Sequence, residues 1–423
     1  MATANKPGNQ PTSKLDSRPS PKPRAIELFA GVGGFRLGIQ DWWDVVWSNQ
    51  WEPSTKTQHA SDCYVENFGS AGHVCESIED VLQKVEDEEI QIPDHDLLVG
   101  GFPCQDYSVA RTLNQASGLS GKKGVLWWHI RDVLKIKRPR FILLENVDRL
   151  LKSPASRRGR DFAVMLCTLA QLGYRVEWRV INAADYGFPQ RRRRVFIVGE
   201  RTNAVPDDLT SQILRDGILA RAFKAENAKS SSNLNVRRLN ESELVVSDEF
   251  GAADKKSWFE NAGVMQDFHV ATMKVQPIYD GERITLGDIL QDPESVDRSF
   301  FLNGPRDRWK YLKGSKNEPR KHRGTDSPYN YAEGAIAYPD PLDKPSRTVL
   351  TGEGGPSPSR FKHVVKVGEE LRRLTPVELE RLNGFPDDWT VGLSDNKRAF
   401  LMGNALVVDV VARIAKVLRS EWD

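Results

Sequence analysis

The stretch that decides the fold of this chain is Asp96-Leu97-Leu98-Val99-Gly100-Gly101-Phe102-Pro103-Cys104-Gln105. Its first half is a short apolar run of the kind that forms a buried parallel strand, and a cysteine follows soon after it. A second apolar run, Phe141-Ile142-Leu143-Leu144, is followed by Glu145. Open α/β sheets place their chemistry in the crevice outside the carboxyl ends of the strands. The two runs therefore predict that a thiol and a carboxyl group lie at the tips of nearby strands.

Strand-like and helix-like segments alternate around this stretch. Strands are predicted at 25–29, 45–48, 96–100, 141–144, 175–181 and 194–199. Helices are predicted from about 35, and at 53–67, 126–137 and 161–172. This alternation is typical of an α/β fold in which helices cover both faces of a doubly wound, mostly parallel sheet.

Changes in composition divide the chain into four parts. Residues 1–23 are polar and rich in Pro, which predicts a disordered tail. The alternating part, 24–202, is the candidate catalytic domain. The alternation of predicted strands and helices stops over 203–370, where we expect a second, smaller domain. It returns over 371–423, with helices predicted at 375–382 and 407–418, and this segment is expected to rejoin the catalytic domain.

Composition excludes several classes of protein. The chain has 423 residues, 39% hydrophobic and 28% charged, which is an ordinary globular balance. The net charge of +2 provides no global signal for nucleic acid, so any such surface is local. Four cysteines without CxxC spacing predict free thiols, no disulfides and no metal site. No apolar run approaches the roughly 20 residues that cross a bilayer. We expect a soluble cytoplasmic protein.

Cys104 is the candidate nucleophile. A lone buried cysteine is more often an inert apolar group, and Cys63, Cys75 and Cys167 are interpreted in that way. Cys104 differs because it follows a proline in a loop after a strand and precedes a long glycine-rich segment that can close as a lid. Glu145 is either a helix-capping acid or a functional carboxyl group.

An arginine run leads directly into a predicted core strand. It is Gln190-Arg191-Arg192-Arg193-Arg194, followed by Val195-Phe196-Ile197-Val198-Gly199. Because alternate side chains of an extended chain share a face, Gln190, Arg192 and Arg194 are predicted to point together and Arg191 and Arg193 the other way. One set would offer fixed donors to a carbonyl group or phosphate. A solvated basic run is the alternative.

The first predicted strand ends in a glycine turn, Phe29-Ala30-Gly31-Val32-Gly33-Gly34. Its spacing matches neither the GxGxxG fingerprint nor the P-loop. The turn is either a tight connection or a place where the backbone approaches a ligand. Trp51 and Glu52 follow the second strand, where a ring can pack on a nucleoside base and an acid can bind ribose hydroxyls. A half-buried Trp and a helix-start Glu are the alternative.

Taken in order, these motifs resemble the DNA (cytosine-5) methyltransferase family in its bacterial restriction-modification form. They are FAGVGG, PCQ, ENV, QRRRR and Gly403-Asn404-Ala405. The resemblance covers roughly 25–200 and 345–423. It implies a Rossmann-like, S-adenosylmethionine-dependent fold with a target-recognition domain in the variable middle.

The resemblance also implies a chemistry. A cytosine flipped out of duplex DNA would be attacked at C6 by Cys104, which makes C5 nucleophilic toward the methyl group of S-adenosylmethionine. Glu145 would bind or protonate N3, and Asn146 would help shape the site. Arg194, with Arg192 beside it, would contact the cytosine carbonyl and support the loop.

The resemblance also implies a cofactor site, whose residues are assigned by their positions in the motifs. The resemblance assigns S-adenosylmethionine to Phe29, Gly31, Gly33, Gly34, Trp51, Glu76, Phe102, Pro103 and Asn404. Many members have an acid directly before the tryptophan, where this chain has Gln50. Either Gln50 or Glu52 would therefore hold the ribose.

DNA contacts are expected from the middle of the chain, which has a local basic run. Residues 306–323 contain eight basic and two acidic residues with interleaved aromatics, the pattern of a nucleic-acid surface. A disordered basic loop is the alternative. The candidate contacts are Gln105, Ser108, Arg306, Arg308, Lys310, Lys313, Arg320, Lys321 and Arg323.

The resulting prediction is a DNA cytosine-5 methyltransferase that acts on a specific short sequence of double-stranded DNA. It would be a nucleoid-associated monomer, with a cognate restriction endonuclease as functional partner. Three alternatives stay open: a tRNA cytosine-5 methyltransferase, a catalytically impaired DNA-binding regulator, and an NAD-type oxidoreductase. The large middle region disfavours the first, and the intact Cys104, Glu145 and Arg194 disfavour the second. The missing GxGxxG disfavours the third.

Overall fold

The computed structural model describes residues 21–102, 126–204, 208–228, 234–252, 256–322, 324 and 327–422. The predicted tail at 1–23 therefore lies almost entirely outside the described residues. The strands are β1 (Arg24–Leu28), β2 (Asp44–Asn49), β3 (His73–Val74), β4 (Leu97–Gly101), β5 (Phe141–Val147), β6 (Tyr174–Asn182), β7 (Arg193–Arg201), β8 (Ala225–Asn227), β9 (Asn235–Arg238), β10 (Ala262–Gln266), β11 (His269–Met273), β12 (Val275–Pro277), β13 (Lys316–Lys321), β14 (Pro328–Glu333), β15 (Val364–Val367) and β16 (Glu370–Arg373).

The α-helices alternate with the first strands and return at the end of the described chain. They are α1 (Gly34–Ile39), α2 (His59–Phe68), α3 (Ile78–Glu86), α4 (Leu126–Lys137), α5 (Arg160–Gln171), α6 (Leu209–Ser211), α7 (Ile218–Ala222), α8 (Glu243–Glu249), α9 (Asp307–Lys313), α10 (Pro376–Leu382), α11 (Asp395–Asn404) and α12 (Val408–Trp422). Within the described residues, no helix is both long and apolar enough to cross a membrane.

A ten-stranded sheet in the order β3-β2-β1-β4-β5-β7-β6-β10-β11-β9 forms the centre of the structure. The first five of these strands pair in parallel. β7 pairs antiparallel with both β5 and β6, so β7 alone is reversed among the first seven strands of that order. The predicted doubly wound α/β fold with a mostly parallel sheet is confirmed for this part.

The sheet continues past the composition change near residue 203. β10 adds antiparallel to β6, and β11 and β9 follow. The boundary expected at 203 therefore does not coincide with the end of the sheet. β10 and β11 are almost entirely buried, and only the edge strand β9 is exposed along its whole length.

Helices cover both faces of the sheet and create two apolar cores. Leu97 and Val99 of β4 belong to the core that includes Phe35 of α1. Leu98, between them, belongs to the opposite core with Trp127 of α4. Since successive strand residues point to opposite faces, burial on both faces explains why β4 is a continuous apolar run.

The last helix packs on the first. A Cβ atom at Gly38 of α1 would lie 2.8 Å from the Val411 side chain, so the two helices approach as closely as glycine allows. The Trp43 indole donates to the Ala415 carbonyl of α12 at 3.3 Å. The amphipathic helix predicted at 407–418 is thus confirmed, and it closes one face of the sheet.

One prediction of local structure was wrong, and two elements were not predicted. The helix predicted at 53–67 begins only at His59, since Pro53 lies in a turn and the Glu52 carboxylate accepts from the Ala60 N–H at 3.0 Å. β3 and α3 were not predicted. A two-residue strand is too short to give a periodic pattern. For α3, the start signal in the sequence is the single N-cap residue Ser77.

Candidate active site

An ion pair between Glu145 and Arg194 forms the centre of the candidate site. Glu145 lies near the end of β5, and the antiparallel neighbour β7 carries Arg194 at its start. Arg194 Nε lies 2.8 Å from Glu145 Oε1, and both side chains are mostly buried, 19% and 13% exposed. The guanidinium therefore holds the carboxylate in one position at the carboxyl edge of the parallel strands.

The neighbouring strand β4 leaves room beside this carboxylate. Gly101 pairs with Glu145 in the sheet, and a Cβ atom at Gly101 would lie 3.4 Å from Glu145 Oε2. Asn146 donates from Nδ2 to the Phe102 carbonyl at 2.9 Å. Asn146 thus fixes the last described residue before the segment that contains Cys104. Pro103, Cys104, Gln105 and Ser108 lie outside the described residues.

The alternation predicted for the arginine run is confirmed. Arg191 and Arg193 are exposed, whereas Gln190 and Arg192 are buried. Arg192 donates to the Val349 carbonyl at 3.0 Å and to the Gly403 carbonyl at 2.9 Å. Burial is the main cause that lowers the pKa of Arg192 to about 9. Sequence reasoning grouped Arg192 with the catalytic residues, but both of its terminal nitrogens are engaged in joining three chain segments.

Gln190 completes the same junction. Its amide donates to the Leu382 carbonyl at 3.1 Å and to Asn383 Oδ1 at 3.0 Å, while its oxygen accepts from the Val349 N–H at 2.9 Å. The segment around Val349 and the C-terminal helices are therefore attached to the strand that carries Arg194. This junction was not visible in the sequence, because the partners of Gln190 are residues far away in the chain, and most of them are backbone groups.

The glycine turn has the strained geometry that its residues permit. Gly31 and Gly33 have φ values of 56° and 85°, which favour glycine. A Cβ atom at Gly33 would lie 2.3 Å from the Phe68 ring, whereas no described atom lies within 4 Å of the Cβ position at Gly31. Phe29 also adopts a positive φ, 55°. The turn is thus packed on one side and open on the other.

Of the predicted cofactor residues beyond β2, Gln50 contacts the turn directly. Gln50 Oε1 accepts from the Gly31 N–H at 2.7 Å, so the residue that replaces the family's acid stabilises the glycine turn itself. The Trp51 side chain is 42% exposed. The Glu52 carboxylate accepts from the Ala60 N–H in the first turn of α2, although Glu52 itself lies several residues before that helix. Glu76 pairs with Lys84 at 2.6 Å.

Two other predicted cofactor residues lie in different environments. Phe102 is buried, and its ring lies 6.3 Å from the Trp127 ring in the core. Phe102 therefore does not line open space in this structure. Asn404 is exposed at the end of α11, next to the Gly403 carbonyl that Arg192 binds.

Sequence reasoning missed Glu27, a buried acid within β1. Burial raises the pKa of Glu27 to about 8, although the hydrogen bonds that its carboxyl group accepts act in the opposite direction and lower the pKa. These come from the Tyr64 hydroxyl at 3.1 Å and the Arg36 N–H at 3.4 Å. The signal was available, since an acid inside the run Ala25-Ile26-Glu27-Leu28 must lie in a buried strand.

The predicted DNA contacts divide into exposed and engaged residues. Arg306, Arg308, Lys310 and Lys321 are exposed. Arg320 pairs with Glu318 at 2.6 Å and lies over the Tyr331 ring. The structure contradicts the predicted DNA contact of Lys313. This residue is 1% exposed, and its ammonium donates to the Lys362 carbonyl at 2.6 Å. Helix α9 turns Lys313 inward, so it cannot contact DNA here. Arg323 lies outside the described residues.

Comparisons with known proteins agree with this arrangement. Residues 24–420 match the family model for C-5 cytosine-specific DNA methylase. The chain is 46% identical to the type II methyltransferase M.Sau3AI of Staphylococcus aureus, covering 94% of this chain and 96% of that protein. It is 28% identical to M.NgoBI of Neisseria gonorrhoeae, covering 93% and 92%.

Solved structures show the same fold. The Dnmt2 methyltransferase of S. pombe has a TM-score of 0.56 at 16% identity, covering 95% of this chain and 100% of that one. A DNMT2 mutant of Spodoptera frugiperda has a TM-score of 0.57 at 14% identity, covering 94% and 99%. The chain belongs to the C-5 cytosine-specific DNA methylase family and is a DNA cytosine-5 methyltransferase.

Proposed function

We propose that this chain transfers a methyl group from S-adenosylmethionine to C5 of a cytosine that it flips out of a specific short sequence in double-stranded DNA. The observation that carries the proposal is the Glu145–Arg194 ion pair, at the edge of the sheet where β4 leads toward Cys104. A carboxyl group and a guanidinium that are held together can bind two neighbouring polar atoms of a pyrimidine, the ring nitrogen N3 and the carbonyl oxygen beside it.

The assignment of Cys104 rests on its position in the sequence. The thiolate adds to C6 of the ring, and the electron pair of the C5–C6 double bond moves so that C5 becomes nucleophilic. Glu145 donates a proton to N3, which neutralises the negative charge that develops there, and takes the proton back when the cysteine leaves; Arg194 donates to the cytosine carbonyl. After C5 is methylated, loss of its proton re-forms the double bond and expels the cysteine. Water or a residue still to be identified accepts that proton.

The glycine turn is the proposed cofactor site. The open side of the turn at Gly31 allows close approach to the backbone, and the exposed Trp51 ring offers a stacking surface. S-adenosylmethionine supplies the methyl group when it is bound there. Phe29, Gly33, Gly34 and Asn404 would hold it from the turn and from the end of α11, while Glu76 and Pro103 are weaker candidates. Gln50 is engaged with the turn and Glu52 with α2, so neither is free to hold the ribose without rearrangement.

Arg192 is proposed as a positioning residue. Its contacts with Val349 and Gly403 bring the end of the middle region and the end of α11 to the strand that carries Arg194. Loss of Arg192 would displace both. Its part in the reaction is therefore indirect.

The middle region is proposed to recognise DNA. We place the recognition residues in the part of 203–370 that follows β11, the last strand that this part adds to the central sheet, with exposed Arg306, Arg308, Lys310 and Lys321 as contacts to the DNA backbone. We propose a cytoplasmic monomer at the nucleoid, whose functional partner is a restriction endonuclease of the same specificity.

Bisulfite sequencing of a plasmid from cells that express this chain tests the proposal. Unconverted cytosines should recur in one short sequence and be absent when Cys104→Ala is expressed at the same level. Complete conversion with a folded wild-type protein would reject the proposal. The same treatment of cellular RNA would then test the tRNA alternative.

A further inference from the structure

We propose that the hairpin β13–β14 enters the major groove and that Asn330, oriented by Asn317, recognises an adenine in the target sequence. This inference rests on the function proposed above and names a residue that determines its specificity. It follows from the two faces of the hairpin, from an amide pair on one of them, and from the way the hairpin is anchored.

The two faces of the hairpin differ in exposure. Directly opposed residues of an antiparallel pair share a face. One face, called here the outer face, is exposed at every position and consists of Asn317, Pro319, Lys321, Pro328, Asn330 and Ala332. The other, the inner face, is half-buried except at Tyr329 and consists of Lys316, Glu318, Arg320, Tyr329, Tyr331 and Glu333. The outer face is therefore the more accessible of the two to a partner.

The charges of the inner face are paired within the protein. Lys316 binds Glu333 at 2.9 Å, and Arg320 binds Glu318 at 2.6 Å. Arg360, from the segment before β15, also binds Glu333, at 2.8 Å. The inner face is therefore the side by which the hairpin is held, and it contributes little unpaired charge.

The outer face carries an amide pair. Asn330 donates from Nδ2 to Asn317 Oδ1 at 2.7 Å, across the two strands. This bond fixes the plane of the Asn330 amide. It uses one N–H of Asn330 and leaves, among the described contacts, its second N–H and its carbonyl oxygen without a protein partner.

One remaining donor and one remaining acceptor on the same amide match adenine. In the major groove adenine presents N7 as an acceptor and N6 as a donor, and a single Asn can bind both. The major groove also admits a two-stranded ribbon. Six residues per strand give the hairpin a length of about 20 Å, enough to follow the groove across several base pairs.

The base of the hairpin is anchored in buried contacts. Lys313, just before β13, donates to the Lys362 carbonyl, and Arg360 donates to the Leu312 carbonyl at 3.2 Å. Arg347 pairs with Asp340 at 2.7 Å and also donates to the Lys362 carbonyl. The hairpin is thus rooted in the segment that precedes β15.

That segment is in turn attached to the catalytic strand. The Arg191 N–H donates to the Ser346 carbonyl at 2.8 Å, and Ser346 contacts the buried His363 at 3.0 Å. Arg192 binds the Val349 carbonyl. A continuous set of contacts therefore joins the hairpin to the strand that carries Arg194, so a base read by the hairpin lies at a fixed offset from the flipped cytosine.

Selection of bound duplexes from a randomised pool tests the proposal, followed by methylation and bisulfite sequencing of the same pool. The full-length wild-type protein should enrich a sequence with an invariant A·T pair. The Asn330→Ala protein should accept other base pairs at that position alone. Its preference for A·T over the other pairs should fall by about ten- to one-hundred-fold. Asn317→Ala should weaken the same preference, and Asn317→Asp, which keeps the oxygen acceptor, should restore it.

The matched control is Asn235→Ala, which truncates an exposed asparagine on the edge strand β9 and should leave the enriched sequence unchanged. Enrichment of a sequence without a fixed A·T pair overturns the proposal, as does an Asn330→Ala protein with wild-type preference. If the wild-type protein enriches the A·T pair but methylates nothing, the reading of adenine stands and the proposed reaction fails.

Discussion

Arg194 Nε lies 2.8 Å from Glu145 Oε1, and the two residues come from antiparallel neighbouring strands at the edge of the sheet where β4 also ends. The pair is mostly buried, so each group limits the orientation of the other. This arrangement preorganises a carboxylate and a guanidinium for a planar substrate before it arrives, which is how a fixed polar site favours a transition state.

Replacing Glu145 with Gln should abolish most of the activity without unfolding the protein. The amide keeps the size and one acceptor, but it cannot take part in proton transfer at N3. We expect kcat to fall by about 10²- to 10⁴-fold, the usual contribution of a positioned acid or base. Single-turnover methylation measures this, and DNA binding of the variant is the control. A variant with nearly wild-type turnover would contradict the role of Glu145.

Replacing Arg192 with Met should destabilise the protein and lower activity together. The change leaves the buried Val349 and Gly403 carbonyls without their donor. Unpaired buried polar groups of this kind cost about 2–4 kcal/mol in total. Urea unfolding measures the loss, and Arg191→Met, an exposed neighbour, should change stability little. Equal stability of the two variants would show that the two hydrogen bonds of Arg192 contribute nothing to stability.

The stability contributed by Glu27 should depend on pH. Its pKa is raised from 4.5 to about 8, so between these values the folded state keeps a proton that the unfolded state has lost. The free energy of unfolding should therefore fall as pH rises from about 4.5 to about 8, by up to a few kcal/mol.

Glu27→Gln isolates this effect because its amide does not titrate. Urea unfolding of both proteins at several pH values gives the difference between their slopes. We expect the wild type to lose stability relative to the variant as pH rises. Parallel pH profiles would mean that Glu27 has the same protonation in both states.

Two lysines on one helix should behave differently toward DNA. Lys310 is exposed and Lys313 is buried. If Lys310 neutralises one phosphate, Lys310→Ala should reduce the slope of log K against log[salt] by about 0.9. Lys313→Met should leave that slope unchanged and lower the stability instead. Titrations at several salt concentrations measure both, and a reduced slope for Lys313→Met would place that residue at the DNA.

Trp51→Ala should weaken cofactor binding with little effect on folding. The side chain is 42% exposed, and urea unfolding of the variant checks that loss of its buried part leaves the protein folded. Stacking of a base on an aromatic side chain contributes about 1–3 kcal/mol, which predicts a rise of at least about fivefold in the Kd for S-adenosylmethionine. Calorimetric titration measures it, and Trp51→Phe should retain part of the affinity. Unchanged affinity in both variants would remove Trp51 from the site.

Much of the fold and some of the site were readable from the sequence. The apolar runs at 97–100 and 141–144, and the alternation in 190–194, predicted buried strands and the grouping of side chains because period and burial are local properties. The glycine turn was also local, since only glycine tolerates the φ of Gly33 beside the Phe68 ring.

Tertiary structure alone decided which of the predicted groups are available. Lys313 and Arg192 look like any other basic residues in the sequence, yet one is bound to the Lys362 carbonyl and the other to Val349 and Gly403. The continuation of the sheet through β10, β11 and β9 was equally hidden. Each depends on contacts between residues far apart in the chain, and no local pattern specifies a partner that only folding brings near.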